Sequence, residues 1–306
     1  MKTSYTKNDL GRSFCMTVAV TLLLQALLQI VFIKFYDVET KQFADWAYWT
    51  IQALYTVGIG SVVLMYAKVS KTNLLSACKV KEKPPILHVV WGCVATVFLV
   101  ALMLPVNEWF LDLFELIGLN RPETAIPLNL PVGTLIPLMI VIVCIFPAFT
   151  EEFLFRGTIS ATLFGNKNKL ATLSICGGLF ALFHLSAAQT VHQFVLGAFL
   201  ALLFFRSGSI WTTVCVHFFN NALAVTLMFT VDEVAILGKY SWVLAVVGAV
   251  GFAASVAGYL FTTKSKWNTH SDQTEQQTQK MSTSSFVMLM IAIAVCAALW
   301  IVGLFQ

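Results

Sequence analysis

The sequence predicts an all-α fold, a polytopic bundle of eight or nine transmembrane helices, and three observations carry that expectation. Of 306 residues, 58% are hydrophobic and only 11% are charged, against roughly a quarter charged in an ordinary globular chain. The apolar residues, at a mean hydropathy of +0.81, gather in runs near the ~20 residues that cross a bilayer as a helix. The basic residues sort to alternate loops, the pattern that orients membrane proteins. Such a chain has no polar coat to present to water, which excludes a soluble enzyme and a disordered protein. The cysteines exclude a secreted disulfide scaffold: six of the seven lie in apolar runs, only Cys78 sits in a polar loop, and no CxxC or Cys/His ligand spacing occurs. They read as small packing residues.

In chain order the runs fall near 13–33, 46–67, 85–106, 132–163, 170–187, 191–205, 209–229, 241–262 and 285–305. The first follows Lys2, Lys7 and Arg12 in the manner of a signal peptide. Its apolar stretch is long and no small-residue cleavage site follows, so it reads as a membrane anchor. The fourth is too long for one simple crossing and contains Pro137 and Pro147, where a break is expected. The stretch 264–284 is rich in Gln, Ser and Thr and reads as a flexible linker before the last span. Three segments result: N-terminal helices over 1–125, a core over 126–231, and C-terminal helices with their linker over 232–306.

With the N-terminus in the cytoplasm, 15 of the 19 basic residues fall on the cytoplasmic side. They occupy the N-terminal tail, the 68–84 loop, Arg156, Lys167, Lys169, Arg206 and the 264–280 loop. The other side keeps Lys34, Lys41, Arg121 and Lys239, with nine of the fifteen acids. The expected setting is a multi-pass protein of a bacterial plasma membrane, with the lipid bilayer as solvent and no nucleic-acid partner.

An ionisable side chain at bilayer depth costs at least ~2.5 kcal/mol on insertion scales, so each one there is a functional candidate. They concentrate in three places: Glu151, Glu152 and Arg156 in FTEEFLFRG, His184 in FALFHLS, and His217 with Asn220 and Asn221 in VCVHFFNNAL. Glu152 and Arg156 are spaced i, i+4 and can pair on one helix face. Glu151 points about 100° away. Left without that counter-charge, it is the better general-base candidate; the competing reading is a set of interfacial charges ending a span. Phe180 with His184, and His217 with Asn221, repeat the i, i+4 relation. The turn 165–169 (GNKNK) lies 14 residues after Glu151 and 15 before His184. Antiparallel helices would therefore place both at one level, roughly 20 Å from that turn. His88 and His270 have no polar companions at helical spacing, and His192 reads as an interfacial residue.

EEFLFR, FALFH and HFFNN together resemble the three-motif signature of the CPBP (Abi) family of intramembrane proteases, which are similar to the Ras-converting CAAX endopeptidase. The family pattern is Glu-Glu-x-x-x-Arg, Phe-x-x-x-His and His-x-x-x-Asn. Every defined position is matched, and the likeness covers roughly 140–229, with RSGSIWTT as a further point of similarity. The resemblance implies peptide-bond hydrolysis in a membrane cavity on a peptide or protein substrate: a CAAX-type chain, a leader peptide, or a bacteriocin or pheromone precursor. It implies catalytic roles for Glu151 and His184 in activating water, and for His217 and Asn221 as an oxyanion hole. Glu152 and Arg156 would support them. No cofactor is expected. A zinc ion held by Glu151, His184 and His217 is the second choice, since two His and a Glu form a familiar ligand set although no HExxH is present. The resemblance also leaves open a non-catalytic scaffold or bacteriocin-immunity protein on the same fold. A secondary transporter lacks the paired, Gly/Pro-broken halves that such folds use. Oligomeric state has no signal in the sequence.

Overall fold

The computed structural model describes residues 1–40, 42–119, 126–164, 166, 168–267 and 280–305, with the backbone alone at 233 and 234. It is an all-α bundle. Eight helical segments among the described residues are long and apolar enough to cross a membrane. Expectations attached to Lys41, Arg121, Glu123, Lys167, His270 and most of the 264–284 stretch fall outside the described residues.

Helix α1 (Lys7–Phe32) runs into a small hairpin, Tyr36–Asp37 paired with Gln42–Phe43, which leads to α2 (Asp45–Val69). A single turn, α3 (Leu74–Ala77), precedes the long α4 (Ile86–Leu116). The fourth apolar run does not break at its prolines. It continues as α5 (Val132–Met139), a π-helical turn over Ile140–Ile145, α6 (Phe146–Leu154), and a second π turn over Phe155–Ile159. The physical reason is register. Pro147 has no N–H to give the carbonyl four residues back, and its ring crowds that carbonyl. Widening the local turn to i→i+5 bonding, as Phe146 N–H does to Val141 O, keeps the helix continuous across the gap.

The expected span 170–187 is a shorter helix, α7 (Lys169–Phe183). It stops because Leu185 adopts a left-handed conformation, φ +50°, which costs a non-glycine residue on the order of 1–2 kcal/mol. Chain direction then reverses into α8 (Thr190–Ser207). Gly208, in the left-handed region at φ +68°, turns it into α9 (Ile210–Thr230). Helices α10 (Glu233–Thr262) and α11 (Thr283–Val302) complete the bundle.

Helices α4, α8 and α9 form the centre, while α10 and α11 carry the least buried spans. Val243, Val246, Val247 and Val250 of α10 and Phe286, Met290 and Ile291 of α11 point outward, a surface for acyl chains rather than water. Close helix approach depends on small residues, as is usual in lipid. A Cβ at Gly248 of α10 would stand 2.7 Å from the Leu102 Cα of α4, and backbone cannot yield as a side chain can. Gly248→Ala is therefore expected to destabilise the bundle by about 1–3 kcal/mol, the usual cost of overpacking. Denaturation in mixed detergent measures it.

The segments that carry most of the described basic residues meet at one end, while Lys34 and Lys239 lie at the other. The Lys2 N–H donates to Lys71 O (2.8 Å) and the Asn73 N–H to Lys2 O (2.7 Å), joining the N-terminal tail to the α2–α3 loop. Ser282 N–H donates to Asn8 Oδ1 (2.7 Å), bringing the start of α11 there too. Ser209 Oγ donates to Glu82 O (2.6 Å), and Arg206 donates to Leu260 O and Thr263 O. The first residues of the expected linker are docked, not loose: Lys266 N–H donates to Arg206 O (2.9 Å), and Trp267 stacks on Phe205 at 4.5 Å between centroids. The cysteines are free thiols, and Cys78, the one in a polar loop, is fully buried against Gly157. His88, which had no companion within its own helix, bonds Tyr259 Oη through Nδ1 at 2.9 Å.

Candidate active site

The three motifs meet inside the bundle, carried by α6, α7 and α9. Glu152 and Arg156 pair across one helical turn, Nη1 to Oε1 at 2.9 Å, with Glu152 fully buried and Arg156 1% exposed. Helix periodicity alone predicts that pair. Three further contacts come from elsewhere in the chain. Arg156 Nη2 donates to Gly197 O of α8 at 2.9 Å, the Arg156 guanidinium lies 4.7 Å over the Phe180 ring, and His217 Nδ1 donates to Glu152 Oε1 at 2.8 Å. Glu152 thus collects an arginine and a histidine on one oxygen. A carboxylate removed from water is tolerable only when paired and hydrogen-bonded in this way.

Glu151 faces the other way, as the 100° rotation requires. Its Oε2 stands 3.8 Å from His184 Nε2 and 4.0 Å from His217 Nε2, with no hydrogen-bond partner among the described residues. The Glu151 and His184 side chains keep 12% and 17% of their exposure, whereas Glu152 and Arg156 are sealed.

Each histidine is oriented through its other nitrogen. His184 sits at the end of α7, and its Nδ1 is 2.7 Å from Phe180 O. A carbonyl only accepts, so Nδ1 carries a proton and Nε2, in the neutral ring, offers a lone pair towards Glu151. Phe180 also packs edge-on against both imidazoles, 4.7 Å from His184 and 6.0 Å from His217 between centroids.

Asn221 Nδ2 donates to Val143 O at 3.0 Å and Asn220 Nδ2 to Asn221 Oδ1 at 3.1 Å. Val143 is the residue four before Pro147, so its carbonyl is the one that proline leaves without an N–H. Asn221 supplies the missing donor, ties α9 to the π turn, and retains a second amide hydrogen. Reasoning within single helices did not find this bond, although Pro147 marks the vacant acceptor. Nor did it find Tyr55 of α2, which comes within electrostatic reach of Glu151 while meeting Thr21.

Depth differs from the expected ~20 Å. His217 is the eighth residue of α9, about 10 Å of helix from the basic end and about 20 Å from the other. Gly92, where an added Cβ would meet Val216, is the seventh residue of α4 and gives a similar depth.

The spacing also bears on zinc. Tetrahedral zinc at 2.0–2.2 Å from N and O donors holds those donors about 3.4 Å apart. The Glu151–His184 and Glu151–His217 separations of 3.8 and 4.0 Å are wider, and no group of three or more His, Cys, Asp or Glu among the described residues has metal spacing. These side chains, as placed, do not fit the ion. A water at ordinary hydrogen-bond lengths of about 2.8 Å spans the 3.8 Å gap.

Residues 133–223 match the family model described as Type II CAAX prenyl endopeptidase Rce1-like. No curated protein and no solved structure matches the chain. All three motifs, from Glu151 to Asn221, fall within the matched stretch, as do α7, α8 and the first two-thirds of α9. Residues 133–223 are therefore an Rce1-like domain of the CAAX protease family, carried by a multi-pass membrane protein.

Proposed function

We propose that the protein is an intramembrane endopeptidase in which Glu151 and His184 activate a water without metal, on substrates presented from the basic, cytoplasmic end. One observation carries the mechanism. His184 Nε2 and Glu151 Oε2 are both acceptors, 3.8 Å apart, and two acceptors repel unless a group with two hydrogens stands between them. Water is that group. Donating one O–H to each, it turns its oxygen lone pair into the cavity. Attack on a peptide carbonyl forms the C–O bond as the proton passes to Glu151. Returning that proton to the amide nitrogen breaks the C–N bond and releases an acid and an amine.

The developing oxyanion needs donors. Asn221 offers its second amide hydrogen. His217 bonds Glu152 through Nδ1–H, which turns Nε2 to the side of Glu151, where a proton on it would be donated to the oxyanion. The position of His217, about 10 Å of α9 from the basic end, supports entry from that side, and the positive-inside pattern assigns that end to the cytoplasm. A CAAX-type chain or a leader peptide at the cytoplasmic surface meets this geometry.

The test uses full-length protein in liposomes with peptides ending in a CAAX sequence and with leader-type peptides, read by mass spectrometry for internal cleavage. After dialysis against a chelator, with metal content measured by elemental analysis, cleavage is expected to persist. Loss of activity that zinc alone restores would overturn the metal-free mechanism.

A further inference from the structure

Asn221 is held by more than its own helix. Its Nδ2 donates to Val143 O at 3.0 Å, and its Oδ1 accepts from Asn220 Nδ2 at 3.1 Å. Asn220 is itself buried, and its Oδ1 takes no hydrogen bond of ordinary geometry among the described residues. A buried amide oxygen of that kind calls for a donor, and the side chain beside it can supply one. His192, the third residue of α8, reaches Asn220. It also lines a cavity together with Ala224, one turn beyond Asn220 on α9, so the imidazole and the amide share one seam. Nothing in the spacing of a single helix shows that contact, which joins α8 to α9.

With an imidazole N–H aimed at Asn220 Oδ1, donation runs in one direction along the whole line. His192 gives to Asn220, Asn220 to Asn221, and Asn221 to the carbonyl that Pro147 leaves vacant. The oxygen and nitrogen ends of an amide are nearly alike in shape, so its hydrogen-bond partners decide which way it faces. Here the two ends of the line fix that choice: Val143 O only accepts, and the imidazole N–H only donates. Without the donor, Asn220 is free to turn over and present its own oxygen to Asn221 Oδ1, setting two acceptors against each other. Asn221 would then turn or shift, and the second amide hydrogen it offers to the oxyanion would move with it.

We propose that His192 is a positioning residue: its ring N–H, acting through Asn220, holds the Asn221 amide with Nδ2 towards the developing oxyanion. The inference rests on the endopeptidase reading and extends its machinery to a residue outside the three motifs. In this role His192 touches no reacting atom, so it governs kcat through Asn221 and leaves substrate binding to other groups.

The experiment measures kcat and KM for one cleaved peptide, using full-length protein in liposomes with membrane abundance as the folding control. His192→Phe keeps an aromatic ring and removes the donor. It is expected to lower kcat by roughly ten- to a hundredfold, less than the 10²–10³ that outright loss of an oxyanion donor costs, with KM little changed. His192→Leu gives the same reading should the larger ring misfit. His192→Asn and His192→Gln each place an amide N–H near one of the two ring nitrogens, and one of them should restore most of the rate. Asn220→Leu should cost about as much as His192→Phe, and the two together little more, because residues in one hydrogen-bonded line do not act additively. The role of His192 is overturned, while Glu151-dependent cleavage stands, by any of four results: full kcat without the donor, a loss confined to KM, a loss that neither amide variant restores, or a double variant whose loss is the product of the single losses. If the wild type cleaves no peptide in a Glu151-dependent way, both readings fall together.

Discussion

Glu151→Gln is expected to lower kcat by at least 10²–10⁴-fold, the range over which a positioned general base contributes, while the protein remains folded. Both halves follow from the same geometry. Glu151 Oε2 has no described hydrogen-bond partner, so an isosteric amide breaks nothing that holds the bundle together. The amide cannot take a proton from water, and its NH2 would instead donate to His184 Nε2, closing the gap in which the water is proposed to stand. Glu151→Asp sharpens the test. It keeps the carboxylate but withdraws it by more than 1 Å from a His184 fixed by Phe180 O, and a displacement of that size costs on the order of 10²-fold. Single-turnover cleavage in liposomes, with membrane abundance as the folding control, gives the measurement. Cleavage by Glu151→Gln at the wild-type rate would sink the assignment of Glu151 as base.

Much of this site was legible as sequence because helix periodicity reports what lies on one face of one helix. Glu152 with Arg156, the isolation of Glu151, and the pairing of Phe180 with His184 all follow from spacing. Composition marked a membrane protein, and the lengths of the apolar runs marked its spans. What stayed hidden depends on which helices touch. The His217–Glu152 bond joins residues 65 apart in sequence, and nothing in VCVHFFNNAL says which carboxylate it will meet. The length of α7 was overread for a related reason: the apolar run continues past Phe183, but the helix does not, because Leu185 turns left-handed. A break was expected at Pro137 and Pro147, and the helix runs on instead. Their outcome, a π turn with Val143 O handed to Asn221, required knowing that α9 lies alongside.

Arg156→Ala should destabilise the fold by about 3–5 kcal/mol, the cost of removing one partner from a buried ion pair. Glu152 is fully buried, so the substitution strands its charge, leaves Gly197 O without its donor, and removes the guanidinium from the Phe180 face. Replacing both partners separates stability from function. Glu152→Leu with Arg156→Met removes the stranded charge and fills much of the same volume, and such exchanges are often neutral or stabilising. The double variant is therefore expected to recover most of the lost stability, a coupling of several kcal/mol between the two sites. It should not recover activity, because His217 loses the carboxylate at 2.8 Å that sets its ring. Denaturation midpoints and cleavage rates on the same preparations decide the matter. Rates that recovered along with stability would show the buried pair to be a scaffold alone, and would remove Glu152 from the catalytic geometry.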